Sequence, residues 1–156
     1  LRISKESFDA LSFNCYALSP DHEKMNHALE ISGLPMIIGE YHFGTVDRGL
    51  AQSLWQVNSQ KERGDAFRYY TENAFAHRGL IGTGWFRWID QNINGRTDGE
   101  NYNCGFIDVT DRPYPYMVDA AIETAKSLYE IHSGTKTPFH QAPNAVGHSP
   151  IPDLWE

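Results

Sequence analysis

Short apolar runs alternate with helical stripes along most of this chain. The most apolar of these runs lies within residues 35–44, PMIIGEYHFG, between Pro35 and Gly39. A run this short predicts a strand that is buried on both faces, as in a parallel sheet, because a helix needs more residues. Glu40 follows the run directly, so the pattern places a carboxylate at the C-terminal end of a buried strand.

Two further runs predict strands that also end in polar or aromatic residues. Residues 8–16 form the first strand and end in Asn14 and Tyr16. Residues 80–90 form the third strand, which carries two tryptophans and ends in Asp90. Two glycines inside this third strand, at positions 82 and 84, indicate that another backbone or a ligand comes close to it.

Three helical stripes follow these strands. Ser19 is predicted to cap the first helix, and Ser59 with Glu62 forms a capping box for the second. The last stripe is the clearest, with apolar residues three and four positions apart from Met117 to Tyr129. Glycines at the ends of these stripes are predicted to stop the helices, which occupy residues 19–33, 59–79 and 117–134.

The resulting order, β-α-β-α-β-α, predicts an α/β fold with three parallel strands. Such a unit is either a small open sheet or three consecutive units of a (β/α)8 barrel. We expect residues 1–134 to form this unit. Residues 135–156 contain four prolines and are predicted to form an extended tail that lies on the surface. Its apolar residues Ile151, Leu154 and Trp155 could dock on the rest of the chain.

Charge and composition exclude several classes of partner. The formal net charge is -7 and lysines and arginines do not cluster, so neither nucleic acid nor an anionic membrane is an expected partner. No apolar stretch approaches the roughly 20 residues of a membrane span, and no signal-peptide pattern is present. The chain opens at Leu1 without a methionine, which suggests a piece of a longer protein. Cys15 and Cys104 fit either a disulfide or two buried thiols.

The predicted strand ends carry side chains suited to binding a sugar. They lack a nucleophilic Ser or Cys elbow, a phosphate-binding loop and zinc-ligand spacing, so we expect no metal and no cofactor. Aromatic rings can pack against pyranose faces, amides and carboxylates can bond hydroxyls, and a carboxylate can act on an oxocarbenium-like centre. A histidine that is hydrogen-bonded within the fold, and tryptophans that belong to the core, remain open as alternatives. The candidate residues at the three ends are Asn14 and Tyr16, then Glu40 and His42, then Trp85, Trp88 and Asp90.

Three segments together resemble the C-terminal part of the glycoside hydrolase family 50 β-agarases, which are clan A retaining glycosidases. The segments are IGEYHFG at 38–44 with DRG at 47–49, GWFRWIDQ at 84–91, and the stretch from Gly95 to Asn103 that ends GENYN. The resemblance runs from about Phe8 to Gly134. It implies that the three strands are the sixth, seventh and eighth of a (β/α)8 barrel, which typically takes about 250 residues.

The resemblance also implies roles for individual residues. Glu40 would be the nucleophile that ends strand seven, and Tyr16 would contact it from strand six. Trp85 or Trp88 would form the floor of a sugar subsite, and Glu100 with Asn101 would lie on a loop over the cleft. The general acid of such enzymes is the Glu of an Asn-Glu pair that ends strand four, and no residue of this chain occupies that place.

Two classes of function therefore compete. The first is a fragment of a retaining glycosidase whose parent hydrolyses a galactan oligosaccharide or polysaccharide such as agarose. The second is a non-catalytic carbohydrate-binding or oligomerising α/β module. In either case we expect a partner that covers the open sheet: the missing N-terminal part of the barrel, or a second copy of the chain.

Overall fold

A computed structural model describes residues 1–148 of the chain, which form a mixed α/β structure. The helices it defines in this range are α1 (Arg2–Ser7), α2 (His22–Ser32), α3 (Gln60–Phe75) and α4 (Pro115–His132). The strands are β1 (Leu11–Asn14), β2 (Met36–Tyr41), β3 (Trp55–Gln56), β4 (Leu80–Trp85) and β5 (Val146–Gly147). The docking predicted for Ile151, Leu154 and Trp155 concerns residues outside the described range.

Three of these strands form the parallel sheet that the sequence pattern predicts. Its order is β1-β2-β4, so β2 is central and pairs in parallel with both neighbours. Helix α2 connects β1 to β2, α3 connects β2 to β4, and α4 follows β4. The prediction of three parallel strands with a helix after each is therefore confirmed within the described residues.

One face of the sheet packs against the helices and forms the core. Met36 and Ile38 of β2 are fully buried there, together with Met25 of α2, Tyr70 of α3 and Met117 of α4. Tyr41 stacks on Tyr70 with ring centroids 4.0 Å apart. The central strand is thus held by rings and aliphatic side chains of all three long helices.

The opposite face of the sheet is more open. Ser12 and Asn14 of β1 are exposed, and Ile81 of β4 is 57% exposed. A Cβ on Gly39 would lie 2.8 Å from Asn14 Oδ1, which places the Asn14 side chain over the middle of β2. The prediction of a close approach to the third strand is confirmed at Gly84, where a Cβ would lie 2.5 Å from the Gly39 carbonyl oxygen, but not at Gly82, where a Cβ would meet only the Ile37 side chain at 3.7 Å.

The helix ends match the sequence signals in part. Asp21, not Ser19, is the N-cap of α2, because its carboxylate accepts hydrogen bonds from the backbone N–H groups of Glu23 and Lys24. Gly33 ends that helix in the left-handed region at φ 66°, as predicted. Ser59 caps α3 by accepting from the Glu62 N–H.

Several boundaries differ from the prediction because tertiary contacts decide them. The first strand is Leu11–Asn14 and the third ends at Trp85, so Trp88 and Asp90 lie in the following loop. Helix α3 ends at Phe75, before Gly79. The short antiparallel pair of β3 and β5 joins the long loop after β2 to the predicted tail, and no local pattern marks it.

The two cysteines are free thiols. Cys15 and Cys104 are not joined in a disulfide; Cys104 is fully buried, and burial raises the pKa of its thiol to about 12. Among the helices in residues 1–148, none has the length and apolar content that crossing a bilayer requires.

Candidate active site

Glu40 lies at the carboxyl end of the central strand, where an irregularity of the pairing redirects its side chain. The β1–β2 register pairs Phe13 with Ile38 but Asn14 with Glu40, so β2 holds one extra residue at this point. With strict alternation from Ile38, Glu40 would enter the helix-facing core. The β-bulge gives that position to Tyr41 instead, and bulges of this kind re-aim side chains beside active sites.

The Glu40 carboxylate is half-buried and oriented by a tyrosine. The Tyr16 hydroxyl, which follows β1, donates a hydrogen bond of 2.9 Å to Glu40 Oε2. The backbone is fixed as well, since the Cys15 N–H donates to the Glu40 carbonyl at 2.9 Å. Burial and the neighbouring charges of Glu40 and Glu100 raise the pKa of the Tyr16 hydroxyl, so it remains a proton donor at neutral pH.

Aromatic rings surround this pair. His42 lies 5.0 Å from the Tyr16 ring and 5.7 Å from the Tyr102 ring, both in edge-to-face contact. The Phe86 ring is tilted against His42 at 5.9 Å, and the Arg96 guanidinium lies over Phe86 at 6.0 Å. These rings come from the ends of all three parallel strands and from the loop after β4, so the arrangement exists only in the folded chain.

A second carboxylate, Glu100, reaches the same edge from the β4–α4 loop. Gln91 Nε2 donates to Glu100 Oε2 at 2.7 Å, and Arg96 Nη1 lies 3.4 Å from that oxygen. Gln91 also accepts the Tyr102 N–H at 2.7 Å, so one amide holds both residues. Burial, followed by the charge of Glu100, raises the pKa of Tyr102. The edge therefore combines two carboxylates, two phenols and apolar ring surface.

The chain is similar in sequence and in fold to β-agarases. No family model matches the chain. It is 39% identical over 128 residues to β-agarase A of Vibrio sp. (strain JT0107), which covers 78% of this chain and 13% of that protein. A solved exo-β-agarase superposes with a TM-score of 0.79 at 36% identity, covering 84% of this chain and 18% of the other. The agarase AgWH50C gives a TM-score of 0.79 at 38% identity, covering 84% and 19%.

The chain is homologous to a segment of the family 50 β-agarases. It spans only 13% of the length of the curated relatives that it matches.

In this agarase homologue, the structure brings four of the candidate residues to the edge around Glu40. Tyr16 contacts the carboxylate, Asn14 lies over the neighbouring Gly39, and Glu100 approaches from the loop. Asn101 is adjacent to Glu100, but its Oδ1 accepts from the Ala51 N–H at 3.3 Å and thereby ties two loops together.

His42 does not fit the predicted role of bonding sugar hydroxyls. It is 1% exposed, and its Nδ1 and Nε2 are both hydrogen-bonded to backbone groups, of Phe86 and Leu54 respectively. Its ring therefore has no nitrogen available to a ligand. The alternative reading of a histidine satisfied within the fold is the one that the structure supports.

Asp90 is likewise an internal anchor and not a ligand-binding carboxylate. It is 4% exposed and accepts hydrogen bonds from Asn103 Nδ2, from the Gly105 N–H at 2.7 Å and from the Tyr114 hydroxyl at 2.6 Å. The fully buried Arg63 guanidinium lies nearby, with its carbon 4.4 Å from the centre of the Tyr114 ring. Because its oxygens are occupied by these donors, Asp90 holds the β4–α4 loop in place.

The two tryptophans have different surroundings. Trp85 packs edge-to-face on Tyr41 at 5.2 Å and on Phe67 at 5.5 Å, and its Nε1 donates to the Cys104 carbonyl at 2.6 Å. These contacts pack the partly buried Trp85 against the helix-facing core, so the structure favours the core alternative for this residue. Trp88 is 68% exposed and stacks on Phe106 at 5.9 Å, which leaves one ring face open to a ligand.

Sequence reasoning missed several residues that build this edge. Phe86 and Tyr102 supply ring surface beside His42, and Arg63 with Asn103 anchors the loop that carries Tyr102. Both rings lie within the segments that resemble the agarases, and their position directly beside Trp85 and Asn101 is the signal that the sequence offers. Within residues 1–148, no group of three or more His, Cys, Asp or Glu side chains is arranged to hold a metal ion.

Proposed function

We propose that this chain is the nucleophile-bearing part of a retaining glycoside hydrolase, and that the complete enzyme hydrolyses a galactan such as agarose. The observation that carries this proposal is the Glu40 carboxylate, which is half-buried at the carboxyl edge of the sheet and accepts the Tyr16 hydroxyl. The identity to β-agarases supports the substrate class.

The chemistry assigns Glu40 one bond-forming step. Its carboxylate attacks the anomeric carbon and forms a glycosyl ester, while the leaving oxygen takes a proton from a general acid elsewhere in the complete enzyme. Water then attacks the same carbon, gives its proton to the residue that served as the general acid, and releases the Glu40 carboxylate. We expect the two catalytic carboxyls to lie about 5–5.5 Å apart in the complete enzyme, as retention requires.

The fold proposal is that β1, β2 and β4 correspond to strands six, seven and eight of a (β/α)8 barrel. Their parallel order, the helices on one face and the site at the carboxyl edge all support it. In such a barrel the open face with Ser12 and Ile81 would point to the interior and would be covered by the other strands.

The remaining site roles belong to the same proposal. Asn14 and Glu100 would bond sugar hydroxyls, while Phe86, Tyr102 and the exposed face of Trp88 would contact sugar rings. Asn101 would act through its bond to the Ala51 N–H, which holds two loops together at the cleft.

Replacement of the carboxylates in the complete enzyme tests the catalytic assignment. Glu40→Gln keeps the shape of the side chain but cannot form the glycosyl ester, so turnover should fall by about 10³-fold or more. Glu100→Gln is the matched control at the same edge and should lower turnover less, through binding. Activity of Glu40→Gln within tenfold of the parent enzyme would exclude Glu40 as the nucleophile.

The chain by itself should bind a partner and show no agarase activity. The sheet has unpaired β1 and β4 edges in the described structure, and α4 exposes Ile122 and Tyr129 at 48% and 88%. These surfaces favour contact with the rest of a barrel or with a second copy. Light scattering should therefore detect an oligomer, and a reducing-sugar assay on agarose should detect no product. A stable monomer or sustained product release would contradict this expectation.

An oligomerising or carbohydrate-binding module remains a second candidate because of the same open surfaces. A pull-down on agarose compared with the product assay distinguishes the two functions. Two results together would favour the module. The chain would be retained on agarose equally well with and without the Glu40→Gln substitution, and the complete enzyme would show no activity.

A further inference from the structure

His42 joins four segments of the chain and contacts the ring of Tyr16, the residue that donates to Glu40. Its Nδ1 lies 3.1 Å from the Phe86 carbonyl oxygen after β4, and its Nε2 lies 3.1 Å from the Leu54 nitrogen in the loop after β2. Its ring edges meet Tyr16 after β1 and Tyr102 in the β4–α4 loop.

The two hydrogen bonds determine the protonation state of the ring. A carbonyl oxygen only accepts, so Nδ1 carries the proton; a backbone N–H only donates, so Nε2 is unprotonated. Protonation of Nε2 would set two N–H groups against each other. Burial, and to a smaller extent the charge of Arg63, lowers the pKa of His42 to about 3, while the bond to Phe86 opposes this shift.

We propose that His42 is a positioning residue for Glu40. Its neutral ring packs against Tyr16 and holds the Tyr16 hydroxyl in its hydrogen bond to the Glu40 carboxylate. The catalytic consequence of this role rests on the function proposed above. A phenylalanine could fill the space, but it would leave the buried Phe86 carbonyl and Leu54 N–H unpaired. A histidine satisfies both groups and still presents ring edges to Tyr16 and Tyr102.

Neutrality matters for the nearby carboxylate. Tyr16 and Tyr102 are the titratable groups in contact with the His42 ring, and Arg63 is the charged group whose field reaches it. A ring that gained a proton at working pH would place a cation behind Tyr16 and alter the hydrogen bond to Glu40. The fixed tautomer keeps that hydrogen bond the same across the neutral range.

Nuclear magnetic resonance of this chain tests the proposal without any sugar. In the unaltered chain, the nitrogen signals of the His42 ring should show the Nδ1–H tautomer from pH 8 down to pH 5, and the hydrogen-bonded hydroxyl proton of Tyr16 should be visible. His42→Phe should abolish or shift that hydroxyl signal, and His42→Asn, which keeps a donor near Nδ1, should restore part of it. An imidazolium signal at pH 6 would overturn the proposal.

His77 provides a matched control. It is also buried, at 3% exposure, and hydrogen-bonded to Asn26 and the Gly79 N–H, but it precedes β4 at the opposite edge of the sheet. His77→Phe should lower stability while leaving the Tyr16 signal intact. An unchanged Tyr16 signal in folded His42→Phe, or in His42→Asn if the first variant does not fold, would overturn the proposal.

Kinetics of the complete enzyme add the catalytic readout. We expect His42→Asn to lower kcat by about 10- to 100-fold with little change in KM, because a misoriented nucleophile affects the chemical step. An unchanged kcat would overturn the positioning role. A complete enzyme with no glycosidase activity would instead refute the proposed function, and the spectroscopic result on Tyr16 would stand independently.

Discussion

Glu40 lies near the carboxyl end of the parallel strand β2 and Asp90 follows the parallel strand β4, yet their surroundings differ sharply. Among residues 1–148, the side chain that donates to the Glu40 carboxylate is Tyr16, and the carboxylate is half-buried. Asp90 is 4% exposed and its oxygens accept from Asn103, Gly105 and Tyr114. A carboxylate that reacts needs an oxygen free for the substrate, whereas one that anchors a loop uses its oxygens on the protein. The environment, and not the strand-end position, separates the two roles.

Amide substitutions of Asp90 and Glu40 should differ most in their effect on the free energy of unfolding. Asp90→Asn should lower the free energy of unfolding by about 3–5 kcal/mol, because it removes the charge that faces buried Arg63 and disrupts a satisfied network. Glu40→Gln should change it by less than about 1 kcal/mol, since its site is partly open. Urea unfolding of the two variants measures both values. A larger loss for Glu40→Gln would reverse the roles assigned here.

Trp85 and Trp88 should differ in the same way, the first in its contribution to stability and the second in its contribution to sugar binding. Trp85→Ala should cost about 3 kcal/mol, since it removes a ring packed on Tyr41 and Phe67. Trp88→Ala should leave the melting temperature nearly unchanged and weaken binding of agarose oligosaccharides by the complete enzyme. A melting curve and a binding titration on each variant check this. Equal losses of stability would show that Trp88 is also part of the core.

Acid sensitivity should come from the Glu40 region, through His42. Its folded pKa of about 3 lies below the ordinary value of 6.5, so below pH 6.5 the unfolded chain binds a proton that the folded chain does not. The contribution to stability is full above pH 6.5 and is lost at about 1.4 kcal/mol per pH unit as the pH falls towards 3. Urea unfolding between pH 7 and pH 4 should show this slope.

His42→Asn serves as the control for that slope. Its free energy of unfolding should fall less steeply as the pH decreases over the same range, because unfolding of the variant takes up about one proton fewer than unfolding of the unaltered chain. An identical slope in the variant and in the unaltered chain would assign the acid sensitivity to other groups, among which buried His77 has a pKa lowered by desolvation.

Local patterns sufficed to predict the parallel strands and the helices, because these depend on periodicity and on caps such as Ser59 and Gly33. The same patterns could not separate Glu40 from Asp90. The partners of Asp90 lie beyond a turn-rich loop, and Arg63 approaches from α3 to bond the Asn103 carbonyl, 40 residues away in the chain. The bulge that turns Glu40 out of the core also arises from pairing with β1, which the sequence of β2 alone does not reveal.

The resemblance to the agarases identified Tyr16 and Glu40 as a pair, and the structure brings their side chains to 2.9 Å. It did not distinguish Trp85 from Trp88, because both lie in one motif and only packing against Phe67 and Phe106 separates them. Chemistry at the site was thus predictable by type, while the assignment of each side chain to core or cleft required the tertiary structure.

Trapping the glycosyl-enzyme tests most directly whether Glu40 is the nucleophile. The complete enzyme would be treated with an activated galactoside whose 2-hydroxyl is replaced by fluorine, which slows hydrolysis of the ester, and then digested and measured by mass spectrometry. We expect one added sugar on the peptide that contains Glu40, and none in the Glu40→Gln variant. A sugar attached to Glu100 or to a carboxylate outside this segment would contradict it.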